Sequence, residues 1–223
     1  NQEQIARQLD NQGVAVNLGW HHSFSETVFI QVVERYIIAS PHINALRGIE
    51  QKMVDGLGAL RVLTAIRALG LQLQPATRDD AELLWRWVND PVVRKSAFNP
   101  NPISWDGHVA WFQEKLDSKK DAIYIACDLS GNKVGQVRFE WNDQGEATVD
   151  VSVDTACRGH GLGAAVVRAG CNQLFYRESP FRVQAWIKPE NIASQKAFDL
   201  AGFCFDGEFD LAGKPALRWS MAK

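Results

Sequence analysis

The chain has 223 residues, 46 % hydrophobic and 22 % charged, with 24 basic against 26 acidic residues and a formal charge of −2. That is the composition of a folded globular protein with a substantial core, and it holds no biased tract or internal repeat. No polybasic stripe draws nucleic acid, no apolar run reaches membrane-spanning length, and Cys127, Cys157, Cys171 and Cys204 lack metal-ligand spacing. Nucleic acid, membrane and metal are therefore not expected as partners, and a reduced, cytoplasmic setting is.

Asn1 stands where a methionine would open a complete chain, so the sequence reads as a piece of something longer. From Gln2 to Leu69 the pattern is helix, one short strand over Val14 to Leu18, then three helices. Ser23 and Glu26 have capping-box spacing before Phe29, Val32, Val33, Tyr36 and Ile37 at helical intervals. Ser40-Pro41 reads as a cap followed by a first-turn proline. Asp55-Gly56 punctuates before a last helix carrying Leu60, Leu63, Ile66 and Leu69. One strand cannot stand alone, so this region reads as the end of an α/β domain whose other strands lie elsewhere. A second copy of the chain is one candidate for the missing edge, as a homodimer.

After Gly70 the pattern changes. Leu71 to Gln74 is a short strand, and Thr77 with Asp80 caps a helix with Ala81, Leu84, Trp85 and Val88 on one stripe. Ser104 caps a second helix with Trp105, Val109, Phe112 and Leu116 on one face and His108 and Trp111 on an adjacent one. Alternation at Ile123, Ile125, Cys127 and at Val137, Phe139, Trp141, around Ser130-Gly131-Asn132, predicts an antiparallel hairpin. A further strand, Glu146 to Asp154, alternates valines with Thr148, Asp150 and Ser152, an unusually polar face for a central strand. The turn Arg158-Gly159-His160-Gly161-Leu162-Gly163 opens a helix to about Tyr176, and Phe181 to Ile187 returns as a parallel strand. Asn191 caps a helix that stops at Gly202, and Phe203 to Leu211 with Ala216 to Met221 close the chain as a hairpin. The result is α+β, with one mixed, mostly antiparallel sheet flanked by helices.

A glycine turn entering a helix presents backbone N–H groups and a positive dipole end, which suits a pyrophosphate. The same glycines also satisfy a dinucleotide-binding fingerprint, Gly159-x-Gly161-x-x-Ala164. Two features oppose that alternative: Asp150 and Ser152 interrupt the preceding strand, and the strand Phe181 to Ile187 does not end on a ribose-binding acid.

Arg158-x-x-Gly161-x-Gly163 and Asn191-x-x-Ser194-x-x-x-Phe198-x-x-x-Gly202-Phe203 together resemble the GNAT superfamily of N-acetyltransferases. The resemblance covers residues 71–223 and implies acetyl-CoA as donor, without a metal. It implies cofactor contacts at Arg158, Gly159, His160, Gly161, Leu162, Gly163 and Asn191. It also implies that the fourth and fifth strands splay, with the cofactor pairing to backbone groups of Val151 and Val153. Asp150 is the candidate base, against a purely structural carboxylate. Phe198 stands where many members carry a tyrosine that protonates the leaving thiolate; water, Tyr124 or unassisted departure are the alternatives.

Trp87-Val88-Asn89-Asp90-Pro91-x-Val93-Arg94 with His108-x-x-Trp111-Phe112 resembles the GNAT branch that acetylates UDP-linked amino-dideoxy sugars in pseudaminic-acid and flagellin-glycan synthesis. Trp87, Asn89, His108 and Trp111 are then acceptor-binding candidates, with core packing as the plainer reading of each. Asn1-Gln2-Glu3-Gln4-Ile5-Ala6, Leu9 and Gly13 to Gly19 resemble the end of a GT-B-fold UDP-sugar hydrolase of the same pathway. Residues 1–69 are so assigned, or else are a helical appendage. That family's hydrolytic groups lie in its other half, so no hydrolase activity is expected. The other functional readings are acetylation of a protein N-terminus or small amine, and a non-catalytic acetyl-CoA-binding module.

Overall fold

The computed structural model describes residues 2–11, 15–19, 25–34, 55–177 and 182–222. They fall into two compact units, Asn1–Gly58 and Ala59–Lys223.

The first unit contains helices α1 (Gln2–Asn11) and α2 (Glu26–Val33). Arg7 pairs with Glu3 one turn away along α1. Ser25 caps α2, its Oγ accepting from the Val28 amide at 3.4 Å, and Ser23 lies outside the described residues, as do Tyr36, Ile37, Ser40 and Pro41. Residues 15–19 form no strand; the Ala15 amide donates to the Leu9 carbonyl at 3.4 Å instead, and no described strand pairs with them.

The second unit begins with α3 (Gly58–Leu69), entered through a turn in which Asp55 Oδ1 accepts from the Leu57 amide at 2.9 Å. Thr64 and Ala68 are buried, and Arg61 pairs with Asp199 at 2.9 Å. This helix therefore belongs to the second unit, although the sequence reading groups it with the N-terminal segment.

Among the described residues seven strands follow: β1 (Gln72–Pro75), β2 (Asp121–Cys127), β3 (Lys133–Trp141), β4 (Glu146–Val153), β5 (Arg182–Ile187), β6 (Cys204–Asp210) and β7 (Pro215–Ala222). They make one sheet in the order β1-β2-β3-β4-β5-β7-β6. Every neighbouring pair is antiparallel except β4 and β5, which are parallel. The connection between those two is α7 (Leu162–Arg177), the crossover that parallel pairing requires.

Local signals set the remaining helices. α4 (Ala81–Val88) is preceded by a 3₁₀ turn in which Asp80 Oδ2 accepts from the Thr77 amide and hydroxyl at 2.8 and 3.0 Å. Burial works to raise the Asp80 pKa, but the Lys133 ammonium at 2.6 Å and the Thr77 donors outweigh it and hold the carboxyl below its ordinary value. α5 (Pro91–Ser96) starts on Asp90, α6 (Trp105–Asp117) on Ser104, and α8 (Ile192–Ala201) runs from Asn191 to a left-handed Gly202.

One core lies between the sheet and α7 and α8, with Val137, Phe139, Val166, Val167, Cys171 and Leu174 at its centre. Gly170 permits that contact: a Cβ there would sit 2.8 Å from Val137 Cγ1 and 3.1 Å from Phe139 Cζ. A second core places α4 and α6 on the opposite face, with Leu84, Trp87 and Phe112 over Ile123, Ile125 and Cys127. The buried stripe of α6 runs through His108 and Phe112, while Trp105 is 43 % exposed and packs edge-on against Trp85. The expected stripe is thus rotated by one position, because the helix meets β2 along the 108–112 row.

His108 is 2 % exposed and its Nε2 donates to the Ala81 carbonyl at 3.0 Å. Burial, with some help from the Arg138 charge and against the Ala81 bond, pushes its pKa below the ordinary value. The unfolded chain then takes up the proton first as pH falls. This contribution is complete above about pH 6.5, the unfolded value, and shrinks as pH drops toward the folded one. Thermal midpoints across pH 5 to 8 should show a falling limb below about 6.5 that flattens in His108→Gln. Gly170→Leu should lower the urea midpoint, destabilising by on the order of 1–3 kcal/mol through overpacking.

Candidate active site

The parallel pair β4–β5 is in register only over Glu146↔Arg182, Ala147↔Val183 and Thr148↔Gln184. Both strands continue without each other to Val153 and Ile187. On β4 the Asp154 amide donates to Val134 of β3, so even-numbered backbone groups face β3 and odd-numbered ones face β5. The peptide groups of Val151 and Val153 therefore turn toward the gap. The Val153 carbonyl is already taken by Arg158 Nε at 3.0 Å.

The gap opens into a cleft of about 300 Å³. Gln136, Asp150 and Ser152 lie on its floor, the polar face of β3 and β4, which α4 and α6 leave uncovered. Trp111 and Arg94 line one wall, and Trp186, Asn191, Ser194 and Phe198 the other. Because α8 packs on the opposite face of the sheet from α6, a cleft lined by both passes through the sheet at the splay. A second cavity of about 400 Å³ continues from Trp111, Arg138, Asp150 and Trp186 toward Lys115, Glu140 and Trp141.

The turn before α7 is braced by two carboxylates. Asp154 Oδ2 accepts from Trp87 Nε1 at 2.7 Å and Oδ1 from the Ala156 amide at 2.9 Å; the Trp87 bond leads in holding its pKa down. Asp90 accepts from Arg158 Nη1 and from the Thr155 hydroxyl, both at 2.9 Å, while its Oδ1 also accepts from the Val92 and Val93 amides and so starts α5. Burial favours the neutral acid at Asp90, yet Arg158 and the other donors keep its pKa low. Beyond Arg158 the chain is exposed through Gly159, His160 and Gly161, with φ of +80° and +74° at the two glycines, values that side chains rarely tolerate. Leu162 and Gly163 then open α7, whose sixteen residues align their amides toward this turn.

The structure separates the expected site residues. Asp150, Val151, Asn191, His108 and Trp111 line the cleft. Arg158 does not offer its guanidinium there; the side chain is committed to Asp90 and Val153. Trp87 is 5 % exposed in the second core and lines neither cavity. Asn89 is spent on the backbone, its amide donating to Trp85 and Ile103 and its oxygen accepting from Ile103. Tyr124 is 5 % exposed in the first core and reaches neither cavity, which removes it as a proton donor to a leaving group. His108 contributes from the bottom of the cleft as a core residue.

Gln136, Arg138, Arg94 and Trp186 are cleft residues that sequence reasoning missed. A signal existed for the first two: with Val137 facing the core, 136 and 138 must share the polar face of Ser152 and Asp150, their partners in register. Arg138 Nη2 bonds Asp150 Oδ2 at 2.9 Å and its guanidinium lies 5.0 Å over the Trp111 ring; the Asp150 charge is the leading cause of its raised pKa. Arg94 donates to the Val88, Asn99 and Asn101 carbonyls and so holds the loop that walls the cleft. Among the described residues no cluster of three or more metal-ligating side chains occurs, and no helix is long and apolar enough to cross a membrane.

Residues 71–204 match the acetyltransferase (GNAT) domain family. YwnH of Bacillus subtilis (strain 168), which carries a provisional description as a phosphinothricin acetyltransferase, is 26 % identical over 159 residues, 65 % of this chain and 93 % of its own. The aminoglycoside acetyltransferase AAC(6′)-Ib, solved with coenzyme A and kanamycin, has a TM-score of 0.60 at 20 % identity, covering 69 % of this chain and 95 % of that one. Spermidine N-acetyltransferase from Vibrio cholerae, solved with CoA and spermine, gives 0.61 at 17 %, covering 69 % and 95 %. At such identities these two speak for the fold alone. The chain belongs to the acetyltransferase (GNAT) domain family and is an acetyl-CoA-dependent N-acetyltransferase.

Proposed function

We propose that residues 71–223 acetylate the amino group of a small sugar-like acceptor, most specifically the 4-amino group of a UDP-linked amino-dideoxy sugar. The observation that carries this reading is the trio of ring faces, Trp111, Trp141 and Trp186, along the second cavity. Asp121 and Glu140 both pair with Lys115 at 3.0 Å, and Asp150 pairs with Arg138. Burial opposes the Lys115 charge, but the two carboxylates raise its pKa and keep it cationic. Four carboxylates, Asp121, Glu140, Glu146 and Asp150, line that cavity against the two cations Lys115 and Arg138, which suits an acceptor that arrives as an ammonium, while Trp111, Trp141 and Trp186 offer faces for a sugar ring or a uracil. Of the segment 1–69 so assigned from the sequence, the part ahead of α3 is read as the end of a GT-B-like hydrolase domain of the same pathway, on the resemblance of its sequence.

Bound acetyl-CoA supplies the activated acetyl group as a thioester. The Val151 amide points into the gap, where it can donate to an oxygen that gains negative charge during attack. Asp150, held by Arg138 on the cleft floor with its side chain 51 % exposed, takes the proton from the incoming amine. Phe198 lines the gap without a proton to give, and Ser194, one turn earlier on α8, brings a hydroxyl to the same wall. The description of YwnH favours a second acceptor class, a small amino-acid-like amine.

Asp150→Asn should lower kcat by about 10²–10⁴-fold while calorimetry still detects acetyl-CoA. Unchanged turnover makes Asp150 a structural carboxylate. Gly161→Asp should lose acetyl-CoA and retain UDP. Turnover of spermidine or an aminoglycoside without any UDP binding overturns the acceptor, and acetylation of phosphinothricin in its place selects the amino-acid-like class.

A further inference from the structure

Arg67 lies on α3, upstream of the matched residues 71–204, yet it reaches the glycine turn. Its Nη1 sits 2.5 Å from the point that a Cβ would occupy on Gly161, and its Cζ 3.6 Å. The absence of a side chain at 161 is thus what lets a guanidinium lie against the turn. Arg61, on the same helix, is paired with Asp199 at 2.9 Å, which fixes α3 beside α8. For Arg67 no acidic partner exists among the described residues, although the residue is half-buried.

A half-buried guanidinium without an acidic partner among the described residues offers an arriving anion a cation already partly freed of water. The anion this place suits is defined by its surroundings: two left-handed glycines, the N-terminal amides of a sixteen-residue helix, and the gap where Val151 and Val153 present their backbone. Arg158 cannot serve, since Asp90 and the Val153 carbonyl already occupy it. The turn would otherwise rely on amides alone.

We infer that Arg67 clamps the diphosphate of CoA against the glycine turn, so that α3 is part of the cofactor site. The inference rests on the glycine turn being the diphosphate site. Arginine suits the task because its planar fork can hold two phosphate oxygens at once, and a charged pair of this kind is stronger than a neutral hydrogen bond.

The test is calorimetric titration of the whole chain, as wild type, Arg67→Gln and Arg67→Lys, with CoA and with dephospho-CoA, which keeps the diphosphate and lacks the ribose phosphate. Arg67→Gln should weaken both ligands about tenfold and reduce the slope of log Kd against log salt, with Arg67→Lys between it and the wild type. Equal CoA affinity in all three proteins overturns the inference and leaves the glycine turn standing. A loss confined to CoA moves Arg67 to the ribose phosphate and overturns the diphosphate assignment. No CoA binding by the wild type removes the reading of the turn itself. Should Arg67→Gln fail to fold, Arg67→Lys decides: the charge without the fork should still bind several-fold more weakly than wild type, and affinity equal to wild type for both ligands overturns the clamp.

Discussion

Everything about this site follows from the end of strand pairing after Thr148↔Gln184. A central strand that parts from its neighbour leaves peptide donors and acceptors facing a gap, and such groups are costly unless something pairs with them. Here the chain answers half of that demand itself, with Arg158 on the Val153 carbonyl, and leaves Val151 open. The same divergence lets one cleft run from α8 on one face of the sheet to α6 on the other. The cleft is therefore reached from both faces of the sheet.

An opening in the middle of a sheet has to be held open, and the means are electrostatic. Asp154 joins the indole of Trp87, and Asp90 joins Arg158, so the loop between β4 and α7 is tied to α4 and α5 by bonds between residues more than sixty positions apart. Both carboxylates stay ionised below the usual range, for different reasons. The Trp87 bond leads at Asp154, whereas at Asp90 burial pulls the other way and Arg158 overcomes it. Partly buried charge pairs with several hydrogen bonds hold geometry better than exposed ones, whose worth is about 0–1 kcal/mol.

Local chemistry was legible in the sequence, and partnership at a distance was not. The caps at Ser104 and Asn191, the Thr77–Asp80 reciprocity and the glycine turn depend on neighbours within a few residues, and each forms as its spacing predicts. Trp87, Asn89 and Arg158 are polar or aromatic residues near functional motifs, but their side chains answer to Asp154, Ile103 and Asp90, which periodicity cannot reveal. Helical spacing put Trp105 in the buried stripe because it fixes a face only to within one position; the row that meets β2 is set by the sheet. The strand expected at Val14 to Leu18 has alternation and no described partner, and the polar face of β4 pointed toward Gln136 and Arg138 only through a register that the structure supplies.

Charge along the second cavity follows from the same polar face. Four carboxylates line it, Asp121, Glu140, Glu146 and Asp150, against the two cations Lys115 and Arg138. Lys115 stands between Asp121 and Glu140, and Arg138 between Asp150 and the ring of Trp111, so both cations are spent within the wall. Glu146 meets the Asn142 side-chain amide at 3.5 Å. Attraction between partners already neutralised is weak, so it is the excess of carboxylates that sets the sign of the field there. With the ring faces of Trp111, Trp141 and Trp186 beside them, the wall joins a negative field to flat apolar surface.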